Sequence, residues 1–468
     1  MSFLDKSSTV ARPGYSKWLI PPAALCVHLS IGQVYAFSVF KTSLVADFHT
    51  SQTAIAWIFS IAIVMLGLSA AVLGTWVERV GPRMAMFTAA LCWGGGFLIG
   101  AAGIAMDSLP LLYLGYGVIG GIGLGIGYIS PVSTLIKWFP DRPGFATGMA
   151  IMGFGGGALI ASPLSTKLMS VFDPGFSSTD TTATADSQAL TSTFVTLGII
   201  YLVFMMIGAA LVRVPPGYAE GEMAVQQPGR NGALVRARAA IRTPQFAFLW
   251  IVLFCNVTAG IGILEQAAPM IQDFFRGGNG ESSVSAAEAA GFVGMLSLAN
   301  MLGRFVWSSL SDRVGRKPIY MMYLGVGLIL YALLASFGSQ SVAIFVVLAL
   351  GIISFYGGGF ATVPAYLKDL FGTLEVGAVH GRLLTAWAAA GVAGPLIVNK
   401  FLDAAGEPGD LVASDYYPAL ITMCVVLAVG FVANLLIRPV DEKHFDVGAV
   451  RESSTDRETS ELTSGSRA

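Results

Sequence analysis

Twelve runs of about 20 apolar residues leave this chain little choice of fold, because a helix of that length is what crosses the roughly 30 Å hydrocarbon core of a bilayer. The runs occupy residues 18–40, 54–77, 84–106, 109–135, 145–169 and 194–212, then 246–274, 289–310, 319–337, 342–366, 383–402 and 417–437. They are apolar on every side, whereas the strands of a membrane barrel alternate apolar and polar residues. A helix satisfies its own backbone hydrogen bonds in lipid. Only 12% of the 468 residues are charged, about half the share in soluble domains. The first run is longer than the core of a cleaved signal peptide and lacks a small-residue cleavage site, so it counts as a span. The expected fold is an all-α membrane protein of twelve transmembrane helices.

Charge and cysteine content narrow the function. Lys+Arg number 27 against 28 Asp+Glu, so there is no basic field to hold nucleic acid. Cys26, Cys92, Cys255 and Cys424 all lie in apolar runs with no CxxC spacing, which excludes a disulfide framework or a zinc site. Lys41, Lys167, Arg276 and Lys400 stand on one side of the spans, while the many other Lys and Arg flank the opposite side. Cytoplasmic loops carry that excess, so both termini are expected in the cytoplasm and the protein in the cytoplasmic (inner) membrane. Residues 1–213 and 245–440 form two six-span halves, 214–244 a flexible cytoplasmic connector and 441–468 a cytoplasmic tail. The stretches 177–193 and from 447 onward are low in complexity and expected to be disordered. Asn256-Val257-Thr258 has a glycosylation pattern but lies inside a span and is discounted.

The two halves repeat one another. Glu78-Arg79-Val80-Gly81-Pro82-Arg83 follows the second span and Asp312-Arg313-Val314-Gly315-Arg316-Lys317 the eighth, with Glu78 and Asp312 234 positions apart. Pro131 and Pro364 are 233 apart, Pro163 and Pro395 232 apart. Three landmarks sharing one offset indicate a duplicated six-helix unit in parallel orientation, an arrangement that rocking transporters need and channels or receptors do not. These paired loops resemble those of the major facilitator superfamily over residues 15–440. Ile31–Phe40 (IGQVYAFSVF), Lys137–Gly144 (KWFPDRPG), Leu384-Thr385-Ala386-Trp387 and Gly394-Pro395 are similar to segments of the oxalate/formate antiporter family, a relative of the monocarboxylate transporters.

Arg304 is the sharpest chemical feature, a cation one to two turns inside the eighth span. Placing arginine at mid-membrane costs roughly 2.5–3.5 kcal/mol on insertion scales, so such a residue faces a cavity or a partner. A guanidinium grips a carboxylate through two parallel charge-assisted bonds. Asn300, four residues earlier, shares its helix face. The bland alternative is that Arg304 snorkels to the cytoplasm and braces the adjoining loop. The resemblance implies the ligand role, since monocarboxylate transporters use an arginine at this place. It also marks two departures: Asn300 stands where the animal transporters have aspartate, and Thr385-Ala386-Trp387 lacks the lysine of the oxalate exchanger. One buried positive charge matches a monocarboxylate better than a doubly charged oxalate.

Gln33, Tyr35, Tyr128 and Tyr356 lie at depths compatible with Arg304 and are further binding candidates, although a tyrosine in a span is more often ordinary packing. Glu265, in the apolar stretch 260–266, and His28 are the candidates for proton coupling, because a carboxyl or imidazole in apolar surroundings can exchange a proton near neutrality. The bland alternatives are a solvated Glu265 at the extracellular mouth and a packed His28. Glu78, Arg79, Arg83, Asp312, Arg313 and Arg316 resemble the superfamily's cytoplasmic latch, a set of individually weak pairs that small free energies can open. The Gly-rich fourth and fifth spans let helix backbones approach and slide; no GxxxxGK[ST] is present, so no nucleotide is expected.

The sequence therefore reads as a secondary transporter for small organic anions of the lactate, pyruvate or formate class, monomeric, coupled to protons or a counter-anion, and without cofactor or metal. Rivals are an oxalate/formate-type exchanger, a proton-coupled drug exporter, which needs an acidic cavity, and a non-transporting membrane sensor. No Ser/His/Asp or Cys/His constellation suggests an enzyme.

Overall fold

The computed structural model describes residues 3–50, 52–176, 184–216, 228–229, 232–277, 282–284, 286–406 and 411–446. Among them the secondary structure is helical apart from two isolated bridges. In chain order the long helices are α1 (Ile20–Ile31), α2 (Gln52–Val80), α3 (Pro82–Ala105), α4 (Gly121–Trp138), α5 (Pro143–Phe172) and α6 (Ser187–Leu211). The second set is α7 (Pro244–Phe274), α8 (Ala286–Val314), α9 (Arg316–Phe337), α10 (Val342–Phe371), α11 (Thr385–Ala405) and α12 (Tyr417–Leu436). Eleven spans are long and apolar enough to cross a membrane among the described residues. The twelfth helix, α8, has the length but carries Asn300, Arg304, Ser308 and Ser311 along its buried side. Outward-facing Val72, Val347, Leu396 and Val425 are largely exposed, as a lipid-facing surface requires.

Local chemistry sets the helix ends. Pro82, Pro143 and Pro244 occupy first-turn positions, where a missing N–H costs nothing. Asp186 and Thr243 cap α6 and α7 by accepting from Ala189 N at 2.7 Å and Phe246 N at 3.2 Å. The repeated loop turns at Gly81 and Gly315, whose φ of 86° and 96° lie in the left-handed region that favours glycine.

Several elements depart from the sequence expectation. The first span is not one rod: α1 stops at Ile31, a 3₁₀ turn covers Gly32–Ala36, and helix resumes at Ser38–Asp47. The fourth starts at Leu109–Leu112 and passes through a π-helical stretch, Tyr113–Gly120, before α4. The eleventh begins as a short helix, Val376–Leu383, interrupted at Leu384. Residues 187–193, expected within a disordered stretch, form the capped start of α6, while 177–183 lie outside the described residues. The connector, expected to be flexible, is packed over its described part: Ala233, Leu234 and Val235 are buried and Val235 N donates to Phe371 O at 3.0 Å. The tail follows it as far as Asp446, whose N donates to Leu234 O at 2.8 Å. Near the other terminus, Ala11 N donates to Val214 O at 2.9 Å. Both ends of the described chain thus meet the connector on the face that bears the repeated loops, the basic face.

The halves meet along two equivalent seams, α5 on α8 and α2 on the eleventh span. Small residues permit this closeness. A Cβ on Gly144 or Gly148 would collide with Ser308, and one on Gly381 with the carbonyl of Ala70. Gly148 and Gly381 are 233 positions apart, so one packing solution serves both seams. Gly148→Leu or Gly381→Leu is expected to splay the basic face. Spin labels on the exposed, equivalent positions Arg79 and Arg313 should then report a distance distribution shifted to longer values; an unshifted one refutes the packing argument.

Candidate functional site

The two repeated acids tie the halves together at the basic face. Glu78, at the end of α2, accepts from Gly377 N at 3.2 Å and pairs with Lys137 Nζ at 2.7 Å. Asp312, at the end of α8, accepts from Gly144 N and Phe145 N at 2.9 and 2.8 Å and pairs with Arg316 at 2.6 Å. Each carboxylate therefore sits on the N-terminus of a helix in the opposite half, where unsatisfied N–H groups and the helix dipole favour an anion. Arg316 also bonds Asp369 at 3.2 Å. The other predicted latch residues are placed differently. Arg83 is buried but donates to Phe3 O at 2.8 Å and to Ser8 Oγ at 3.2 Å, pinning the N-terminal segment. Arg79 and Arg313 are exposed and take no part in the ties.

Deeper in, Arg304 has no exposed surface, so it does not snorkel. Its Nε donates to Asn300 Oδ1 at 3.0 Å and its Nη1 to the carbonyl of Ile151 at 3.4 Å. The guanidinium lies 5.6 Å from the ring centre of Phe154 and 5.2 Å from that of Phe360, within cation–π range. Nη2 has no hydrogen-bond partner, and among the described residues no carboxylate pairs with Arg304. A glycine makes the room: a Cβ on Gly357 would collide with the backbone and side-chain oxygens of Asn300.

The tyrosines predicted to share this depth are brought together. Tyr35 and Tyr356 approach with hydroxyls 3.4 Å apart, across the halves. Tyr128 is fully buried, packs its ring 5.5 Å from Phe154 and 5.6 Å from Phe360, and leaves its hydroxyl unpartnered. Gln33, in the 3₁₀ turn, accepts from Tyr116 at 3.0 Å. The proton-coupling candidates separate. Glu265 is exposed and accepts from Asn399 at 3.2 Å, so the apolar burial expected of it is absent. His28 is buried, with Nδ1 2.6 Å from Ala150 O and Nε2 3.2 Å from Tyr128 O. A neutral imidazole can donate from only one nitrogen, so only the charged ring donates to both carbonyls.

The sequence profile described as Major Facilitator Superfamily matches residues 23–395, with a further match at 281–454. The chain belongs to the Major Facilitator Superfamily. It is 26% identical over 370 residues to the "Uncharacterized MFS-type transporter YhjX" of Escherichia coli, covering 78% of this chain and 83% of that one. It is 25% identical over 375 residues to the oxalate:formate antiporter of Oxalobacter formigenes, covering 80% and 81%. The crystal structure of the E. coli fucose:proton symporter superposes with a TM-score of 0.66 at 16% identity, over 91% of this chain and all of the other, a likeness of fold.

Two residues at the centre of this superfamily member were not singled out from the sequence. Trp387 of α11 contacts Phe154, Phe360 and Tyr128 with ring centres 5.6, 4.6 and 5.7 Å apart. His380 is buried with its ring 5.8 Å from Tyr128. The internal offset held a signal for the first, since 387 − 233 = 154 pairs Trp387 with Phe154. A third, Asp273, is a buried acid at the far end of α7, held by Arg276 at 2.8 Å and the Tyr416 hydroxyl at 2.7 Å. At the basic face, Asp312→Ala removes an ion pair and two backbone bonds of a mostly buried carboxylate and should cost about 2–4 kcal/mol. A lowered midpoint of thermal unfolding checks this, with Asp441→Ala, in an exposed pair, as the comparison that leaves the midpoint in place.

Proposed function

We propose that this superfamily member is a secondary transporter of small monocarboxylate anions, of the lactate, pyruvate or formate class, working by alternating access. The carrying observation is the uncompensated charge of Arg304, fully buried with a free Nη2 and no acid at hand. Asn300, one carbonyl and two aromatic faces offset part of the burial cost, but a donor left unmade costs roughly 1–3 kcal/mol. A visiting carboxylate removes that deficit by bonding the guanidinium where its field is least screened. Charge matching selects the class: one buried cation balances one carboxylate. An acidic cavity suited to cationic drugs has no counterpart around Arg304.

The latches supply the cycle. Glu78 and Asp312 hold the basic face together through exchangeable bonds to helix ends, and their release opens the site on that side. The Lys/Arg bias assigns this face and both termini to the cytoplasm. Each half contributes to one site, so the monomer is the transport unit. Coupling runs by proton symport, with His28 as the candidate group, or by anion exchange. Similarity to an oxalate:formate antiporter favours exchange as the second reading.

Uptake of labelled monocarboxylates and of oxalate into vesicles containing the purified protein, with and without a pH gradient, tests this. Arg304→Ala should abolish uptake and Arg304→Lys should lower it at least about tenfold, because an ammonium cannot form the paired bonds. Normal transport by Arg304→Ala rejects the docking site.

A further inference from the structure

Among the described residues, eleven buried side-chain nitrogen and oxygen atoms lack a hydrogen-bond partner, and four of them belong to one cluster: Arg304 Nη2, Tyr128 Oη, Trp387 Nε1 and His380 Nε2. The cluster is continuous. Arg304 lies over Phe154 and Phe360, both rings pack against Trp387 and Tyr128, and Tyr128 packs against His380. All four side chains are at least nine-tenths buried. Native interiors leave few polar groups unmade, and those here converge from α4 of one half and from α8 and the eleventh span of the other. Arginine and the indole N–H can only donate, while the phenol and imidazole can donate when suitably turned. Arg304 and Trp387 therefore lack acceptors, and Tyr128 and His380 can join them as donors.

Resting on the Arg304 reading, we infer that Trp387 is a specificity-determining residue: its indole N–H, with Tyr128 and His380, binds an oxygen of the substrate other than those held by Arg304. The matching ligand is a singly charged carboxylate with an additional acceptor on the neighbouring carbon, a 2-oxo or 2-hydroxy acid. A simple carboxylate such as acetate meets the guanidinium but leaves the indole unmade. A dicarboxylate brings a second charge to a neutral donor in a wall of aromatic rings, and burying that charge without a cation is expensive.

The test compares labelled pyruvate and acetate as probes in vesicles containing wild type, Trp387→Phe, which exchanges the indole for a smaller aromatic ring without a donor, or Tyr128→Phe, which loses only the hydroxyl. Wild type should prefer pyruvate. Trp387→Phe should lower the pyruvate-to-acetate ratio of kcat/KM about tenfold, the scale of one hydrogen bond in a closed site, and Tyr128→Phe should move it the same way. Stabilisation of the purified protein by pyruvate against thermal unfolding, read in the same series, should fall in parallel and does not depend on turnover. Uptake of both acids with a ratio that neither variant moves overturns the assignment while leaving Arg304 in its role. Uptake of neither acid by wild type overturns both.

Discussion

A guanidinium enclosed by helices and, among the described residues, unmatched by any acid organises the middle of this protein. Water is excluded from Arg304, so its charge must be balanced by what the chain places beside it, and the chain places only an amide oxygen, a carbonyl and two ring faces. That is enough to keep a cation within the bundle and too little to neutralise it. Gly357 of α10 follows from the same constraint, since a Cβ there would collide with the backbone and side-chain oxygens of Asn300, the partner amide.

The basic face answers a different requirement. It must hold closed and also release, which excludes both a greasy seam of large side chains and a covalent clamp. Two carboxylates on helix N-termini meet the need: Glu78 reaches Gly377, Asp312 reaches Gly144 and Phe145, and each is steadied by a cation of its own half, Lys137 or Arg316. Because the acid carries its counter-cation with it, the halves can part without stranding a bare charge. The bonds broken are those to backbone N–H groups, which water replaces at small net cost.

Much of the architecture was legible because lipid imposes length and apolarity on every span, and duplication prints one offset on both loops. What the pattern could not carry was local. The 3₁₀ turn Gly32–Ala36 lies inside a run that is apolar overall, so hydropathy over the span did not mark the break that carries Gln33 and Tyr35. The connector around Leu234 looks like a polar linker until tertiary contacts bury it. In the site, Arg304 announced itself as a charge in an apolar run and Asn300 by helix geometry, and both stand together. For Glu265 the sequence left an apolar interior and a solvated mouth open, because depth in a span is uncertain by a turn, and the side chain is exposed. Trp387 was passed over because an aromatic residue in an apolar run reads as packing; only its contacts with Phe154, Phe360 and Tyr128 reveal an indole N–H without a partner.

The duplication is also broken where it matters. The first span is interrupted at Gly32–Ala36, whereas α7, its counterpart, runs unbroken from Pro244 to Phe274. The eleventh is interrupted at Leu384, whereas its counterpart α5 runs unbroken from Pro143 to Phe172. The first half has a second departure, the π-helical stretch Tyr113–Gly120 of its fourth span. Tyr35 lies in the break of the first span and meets Tyr356 of the other half, whereas His380 precedes the break at Leu384, one turn from the Gly377 that Glu78 holds. An interrupted helix bends at lower cost than a continuous one, because its ladder of hydrogen bonds is already open there. A strictly symmetric duplicate would have to flex both ends of the path alike. Here the first helix of one half and the eleventh of the other are open at unmatched places, so on the proposed reading the two halves bend at different points of the repeat.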